Sequence, residues 1–189
     1  MVLLSLLNSA EKSNSISPKS KRILFKAVAR LPYFFIENAI LSEKEAEEKA
    51  LQFAQKLNFG EVKNVWQEYY SNYAIFNFAP VIDEVVIYPD IFKVKIALDN
   101  GEVVGFEGKS YVMNNQERKF DEIKISENDA KKQLKDGFLV ESARLCLISV
   151  NEKETLCYEF FGTYNEMTFA VYISALDGNR EALCLLDKN

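Results

Sequence analysis

The stretch that decides the fold reads Tyr88-Pro89-Asp90-Ile91-Phe92-Lys93-Val94-Lys95-Ile96-Ala97-Leu98-Asp99-Asn100-Gly101-Glu102-Val103-Val104-Gly105-Phe106-Glu107. Phe92, Val94, Ile96 and Leu98 alternate with Lys93 and Lys95, the period-2 pattern of a half-buried strand. Asn100-Gly101 is the strongest two-residue hairpin signal in the chain, because both residue types tolerate positive φ. Glu102 to Glu107 then reads as the returning strand.

Working outward, a helix comes before these strands. Ser42 and Glu45 form a capping-box pattern ahead of Ala46, Ala50, Phe53, Ala54 and Leu57, one apolar face at period 3.6. Glu43, Glu45, Glu47 and Glu48 suit the positive end of that helix, predicted over Glu43 to Leu57. Strands are expected at Val62 to Tyr70 and at Tyr73 to Ala79, the latter stopped by Pro80. An apolar insertion, Val81 to Ile87, separates them from the opening stretch.

The order then repeats. Ile125-Ser126-Glu127-Asn128-Asp129-Ala130 mirrors Leu41-Ser42-Glu43-Lys44-Glu45-Ala46, an offset of 84 (126 − 42). A shorter helix is predicted over Glu127 to Lys135, then strands at Leu139 to Val150, Thr155 to Gly162, Met167 to Ser174 and Glu181 to Leu186. Ala175-Leu176-Asp177-Gly178 mirrors Ala97-Leu98-Asp99 and its turn, an offset of 78 (175 − 97). The expected fold class is therefore α+β, with two tandem units, each one helix on a roughly four-stranded antiparallel sheet. The expected divisions are a segment 1–40, a first unit 41–120 and a second unit 121–189, with Tyr111 to Lys124 as the link. Within 1–40, Ala10 to Lys21 reads as a linker, Ile23 to Leu31 as a short helix ending at Pro32, and Tyr33 to Ile36 as a short strand.

Composition narrows the chemistry. The chain carries no histidine, which removes Ser-His-Asp and Cys-His catalysis, His-containing zinc sites and haem-His ligation. A net charge of −5 argues against nucleic acid, which recruits a basic stripe. Cys146, Cys157 and Cys184 are odd in number, match no zinc spacing and lie in apolar runs, where reduced buried thiols are expected. Asp83, Glu84, Asp90, Asp99 and Glu107 recreate no paired-acid spacing, so solvated carboxylates are the default reading and no cofactor is expected. No segment approaches the ~20 apolar residues of a membrane span, and the N-terminus lacks the basic start of a secretory signal.

Two candidate sites follow. Tyr88-Pro89-Asp90, preceded by the insertion that only the first unit carries, reads either as a well-formed loop into a strand or as a projecting contact loop. Tyr69, Tyr70 and Tyr73, with Trp66 nearby, form an aromatic cluster that suits an interaction hot spot and sheet packing equally.

The Ser-Glu-x-x-Ala helix start followed by a Leu-Asp-Asn-Gly-Glu-Val hairpin resembles the PepSY module. More specifically, the chain is similar to the YpeB family of spore germination proteins from Leu41 to its C-terminus. Ile87 to Asp90, Lys93 to Glu107, Tyr111 to Asn114 and Glu117 to Lys119 carry that likeness in the first unit. Arg144-Leu145, Cys157 to Phe160, Gly162 to Asn165 and Val171 to Gly178 carry it in the second. The resemblance implies a non-enzymatic protein of the spore inner membrane and cortex region that binds, stabilises and restrains a cortex-lytic hydrolase of the SleB type. Family members also carry an N-terminal membrane anchor, a helical region and an earlier PepSY unit, so this chain looks like their C-terminal portion. The competing classes are a propeptide-like inhibitor of a secreted protease and an extracytoplasmic small-ligand module.

Overall fold

Ser42 opens the first helix as the sequence requires. Its Oγ accepts from the Glu45 backbone N–H at 3.4 Å, and the Glu45 carboxylate accepts from the Ser42 backbone N–H at 2.9 Å. The computed structural model, which describes residues 40–186, runs this helix (α1) over Glu43–Lys56. Asn58 and Gly60, both at positive φ, lead the chain out of it. The predicted elements between residues 10 and 36 lie outside the described residues.

Four strands follow: β1 (Val62–Tyr69), β2 (Tyr73–Ile82), β4 (Phe92–Ala97) and β5 (Val103–Glu107), in spatial order β1-β2-β4-β5. Ala46, Ala50 and Ala54 bring α1 close to the sheet, and Phe76, Phe78, Phe92, Val94 and Ile96 supply the bulk beneath it. A six-residue helix, α2 (Lys109–Asn114), follows β5. The expected link from Tyr111 therefore starts inside a helix.

The second unit opens with Ser126, whose Oγ accepts from the Asp129 N–H at 3.1 Å. Its helix, α3, spans only Glu127–Lys131, shorter than the predicted Glu127 to Lys135. Beyond it Lys132, Gln133 and Leu134 bond back three residues rather than four, and Gly137 takes φ +88°. Leu134 and Phe138 pack on the core from this tightened segment. Strands β6 (Leu139–Val150), β7 (Lys153–Tyr164), β8 (Met167–Ser174) and β9 (Arg180–Leu186) form an antiparallel meander. A short strand, β3 (Val85–Ile87), lies parallel to β6.

The division into units is not linear. Pro80–Pro89, expected in the first unit, belongs with 116–189, and the first unit resumes at Asp90–Asn115. Pro80 does not end β2 but lies inside it, between the β4 ladder, which reaches Phe78, and the β3 ladder, which starts at Val81. The Asn100-Gly101 hairpin exists, but its loop is Leu98–Gly101, closed by Ala97 N–H on the Glu102 carbonyl at 2.9 Å. Asn100 uses its side chain to accept from Glu102 N–H at 2.8 Å, and only Gly101 takes positive φ. The two-residue turns with positive φ at both positions are Asp83-Glu84, Asn151-Glu152 and Asn165-Glu166.

Strand pairing also corrects the repeat register. Phe76 pairs Val94, and Phe160 pairs Val171, so the matching offsets are 84 (160 − 76) and 77 (171 − 94). Gly101 N–H bonds the Ala97 carbonyl as Gly178 N–H bonds Ser174, which also gives 77 (178 − 101). The difference of seven residues equals the insertion Val81 to Ile87, which carries β3. Of the cysteines, Cys146 and Cys157 are buried, whereas Cys184 is exposed because β9 is an edge strand.

Candidate functional site

Tyr88-Pro89-Asp90 forms a single 3-10 turn, but its residues do not project together. Asp90 is completely buried, and its carboxylate accepts from Asn115 Nδ2 at 3.1 Å. A projecting aspartate would stay hydrated, since an unpaired buried carboxylate is costly. Asp90 belongs to the first unit, Tyr88 and Pro89 to the second. Burial, and then the Asp90 charge, raises the pKa of Tyr111.

Tyr88 instead builds a polar cluster in the second unit. Its hydroxyl donates a short hydrogen bond to Glu159 Oε2. Arg144 donates to Glu159 Oε1 from Nε at 2.9 Å and from Nη2 at 2.5 Å. Glu159 is only 2% exposed, so its charge depends on these donors. Arg144 and Glu159 are cross-strand partners on β6 and β7, and Tyr172 is the partner of Glu159 on β8. The Tyr172 ring meets Tyr88 edge-on at 6.2 Å, and the Arg144 guanidinium lies 5.9 Å from the Tyr88 ring centre.

Burial, with the Glu159 charge second, raises the pKa values of Tyr88 and Tyr172 well above the usual tyrosine range. Burial, the largest single influence, opposes the Arg144 cation, but the hydrogen bond to Glu159 and the electrostatic pull of Tyr88, Glu159 and Cys146 together outweigh it and raise its pKa. Tyr88 and Tyr172 thus stay neutral phenols and Arg144 stays a cation at neutral pH. Such a cluster orients its members and holds the strands that carry them. Among the described residues, no group of three or more Cys, Asp or Glu could hold a metal ion.

The aromatic cluster divides between two faces. Tyr69 turns inward, with its ring edge-on to Phe76 at 5.9 Å and its hydroxyl on the Glu43 carbonyl at 3.5 Å. Burial, then Glu43 and Glu47, push its pKa up to about 12. Tyr70 stacks on Tyr73 at 4.5 Å, and Lys95 Nζ lies 3.3 Å from the Tyr73 ring centre. Trp66 is 37% exposed and Tyr70 44%, so the outward part of the cluster is an accessible aromatic surface with a cation beside it.

Sequence reasoning missed Arg144, Glu159 and Tyr172 as a group. The signal was a lone carboxylate inside Cys157-Tyr158-Glu159-Phe160-Phe161, an otherwise apolar run.

Two units, each a serine-capped helix on four antiparallel strands, place the chain in the class of tandem PepSY proteins. A family model described as YpeB sporulation, PepSY1 and PepSY2 domains, matches residues 35–121. The solved Bacillus megaterium YpeB C-terminal domain superposes with a TM-score of 0.76 at 31% identity, covering 84% of this chain and 71% of that one. The chain belongs to the YpeB family of sporulation proteins. The sporulation protein YpeB of Halalkalibacterium halodurans is 33% identical over 156 residues, covering 79% of this chain and 35% of that protein. The Bacillus subtilis protein of the same name is 31% identical over 195 residues, covering 93% of this chain and 43% of its own length. The chain therefore spans less than half the length of these curated relatives. No helix among the described residues is long and apolar enough to cross a membrane.

Proposed function

We propose that this chain acts without catalysis of its own, by binding, stabilising and restraining a spore cortex-lytic enzyme of the SleB type in the inner membrane and cortex region of the spore. Membership in a family of sporulation proteins supports the setting. The observation that carries the contact is the aromatic surface at the β1–β2 hairpin, where Trp66 and Tyr70 stay accessible and Tyr73 lies under Lys95. Tryptophan and tyrosine dominate interface hot spots because they bury large areas at little entropic cost.

The test is calorimetric titration of a purified cortex-lytic enzyme with the chain and with its Trp66→Ala and Tyr70→Ala variants. The expected result is saturable binding, weakened about tenfold or more by each substitution, as for hot-spot aromatics. No binding to the lytic enzyme, together with inhibition of a secreted peptidase, would overturn the reading in favour of a propeptide-like inhibitor.

A further inference from the structure

The second unit holds one strand that its own plan does not need. β3 has three residues, pairs β6 in parallel through Val86↔Cys146 and Ile87↔Leu147, and arises from the seven-residue insertion. In the first unit the strand equivalent to β6 is β1, which among the described residues pairs only β2. Among the described residues that unit has no strand outside β1, and its core is a helix on four strands.

Besides its backbone ladders to β6 and to β2, two kinds of side-chain contact hold β3 in place. Val85 and Ile87 pack into the second core. One residue further on, Tyr88 donates its hydroxyl to Glu159. On the other side β3 is joined to β2 through the exposed turn Asp83-Glu84. The polar fastening has a property that suits release. Arg144 satisfies Glu159 Oε1 with two donors independently of Tyr88, which bonds the other oxygen, Oε2. When Tyr88 withdraws, water can replace it at Oε2 while the ion pair stays closed. Opening therefore leaves no buried charge without a partner, the condition that would otherwise forbid it.

We propose that Val85 to Tyr88 is a detachable strap on the outer edge of β6, fastened by the Tyr88–Glu159 hydrogen bond. Its release uncovers the β6 backbone near Cys146 and Leu147. The strap is independent of the proposed partner contact at Trp66 and Tyr70, so either reading can fail alone.

Hydrogen–deuterium exchange of the full chain at low denaturant tests it. The β3 amides, and the β6 amides that face them, should exchange through a local opening insensitive to denaturant. The β7 and β8 amides should exchange only through global unfolding. Tyr88→Phe should speed cleavage at Glu84 by a glutamate-specific protease about ten- to a hundredfold, the effect of losing one hydrogen bond to a charged group. A second variant replaces residues 81–89 with Asn-Gly, giving the first unit the strand spacing of the second. It should keep β7 and β8 protected while the outward β6 amides lose protection. Exchange of β3 in one step with β7 and β8, an unchanged cleavage rate in Tyr88→Phe, or loss of all protection in the Asn-Gly variant would each overturn the proposal.

Discussion

The two units share one face of their sheets and differ on the other. Beneath the helix, matched positions hold the same kind of residue: Phe76 and Phe160, Val94 and Val171, Ile96 and Ile173, all buried. On the opposite face the first unit pairs Ile75 with Lys95, where the second pairs Glu159 with Tyr172. An aliphatic residue beside a cation in one copy thus becomes a buried carboxylate beside a phenol in the other. The helix side is fixed by the need to bury an apolar stripe, which any PepSY unit must meet. The far side is free of that demand, and it is where each copy has acquired its own chemistry: the Tyr73–Lys95 contact in the first, the Tyr88–Glu159–Arg144 cluster in the second.

The sharpest way to break this comparison is to give the second unit the residue of the first. Glu159→Ile copies Ile75 into the matched position but leaves Arg144, itself mostly buried, without its anion. Breaking a buried pair from one side costs about 3–5 kcal/mol. The double variant Arg144→Leu, Glu159→Ile removes both charges and should recover most of that loss, since apolar replacement of a whole buried pair is often neutral. Urea unfolding of the parent, both single variants and the double variant measures the coupling. Additive losses would mean that the pair does not act as a unit.

How far this difference could be read beforehand depends on register. The helix, its serine caps and the four strands of each unit follow from local spacing, and the sequence places β6 and β8 at the bounds the structure shows. Arg144 and Glu159 were each visible as charges in apolar runs. Joining them requires knowing that Asn151-Glu152 is a two-residue turn, which makes every partner pair from Ser142↔Phe161 to the turn sum to 303, as 144 + 159 does. Asn151-Glu152 lacks the glycine that makes Asn100-Gly101 conspicuous, so the stronger turn signal marked the β4–β5 hairpin and left the β6–β7 turn unmarked. The alignment of Ala97 with Ala175 was off by one for a related reason. It matched Ala-Leu-Asp as letters, whereas the hydrogen bonds match Gly101 with Gly178 and Asn100 with Asp177. The assignment of Pro80–Pro89 to the second unit rests on β3 pairing with β6, a contact across about sixty residues that no local pattern encodes.

Alkaline pH separates the units next. Folding holds protons on Tyr88 and Tyr172 beyond the pH near 10 at which an unfolded chain releases them. Their folded pKa values are raised, so their contribution is complete below about 10 and is lost as the pH climbs above it. Tyr69 in the first unit behaves alike, but its pKa of about 12 lets it titrate within the folded state. Absorbance of tyrosinate should therefore show Tyr69 ionising reversibly near pH 12, while Tyr88 and Tyr172 ionise only as the second unit unfolds. Tyr88→Phe should reduce the amplitude of that unfolding step. A single titration near pH 10 covering all tyrosines would remove the distinction.

The smallest contrast lies in the helix caps. In α1, Glu45 reaches back to the Ser42 backbone N–H and completes a capping box. In α3, Asp129 is one methylene shorter: it accepts from the Ser126 hydroxyl at 2.6 Å, as Glu45 does from that of Ser42 at 2.7 Å, but does not complete the box to the backbone N–H. Ser42→Ala and Ser126→Ala should each cost about 1 kcal/mol, the usual value of such a cap. Their reach should differ. The first four N–H groups of a helix have no internal partner, and in the five-residue α3 these are nearly the whole element. Ser126→Ala should therefore release all of α3 to fast amide exchange. Ser42→Ala should fray only the first turn of the fourteen-residue α1, leaving Leu51 to Lys56 protected by their own ladder and by the apolar contacts of Ala54. Asp129→Glu, which restores the reach of Glu45, should slow exchange at the Ser126 amide. If it does not, the missing methylene is not what leaves the second box half built.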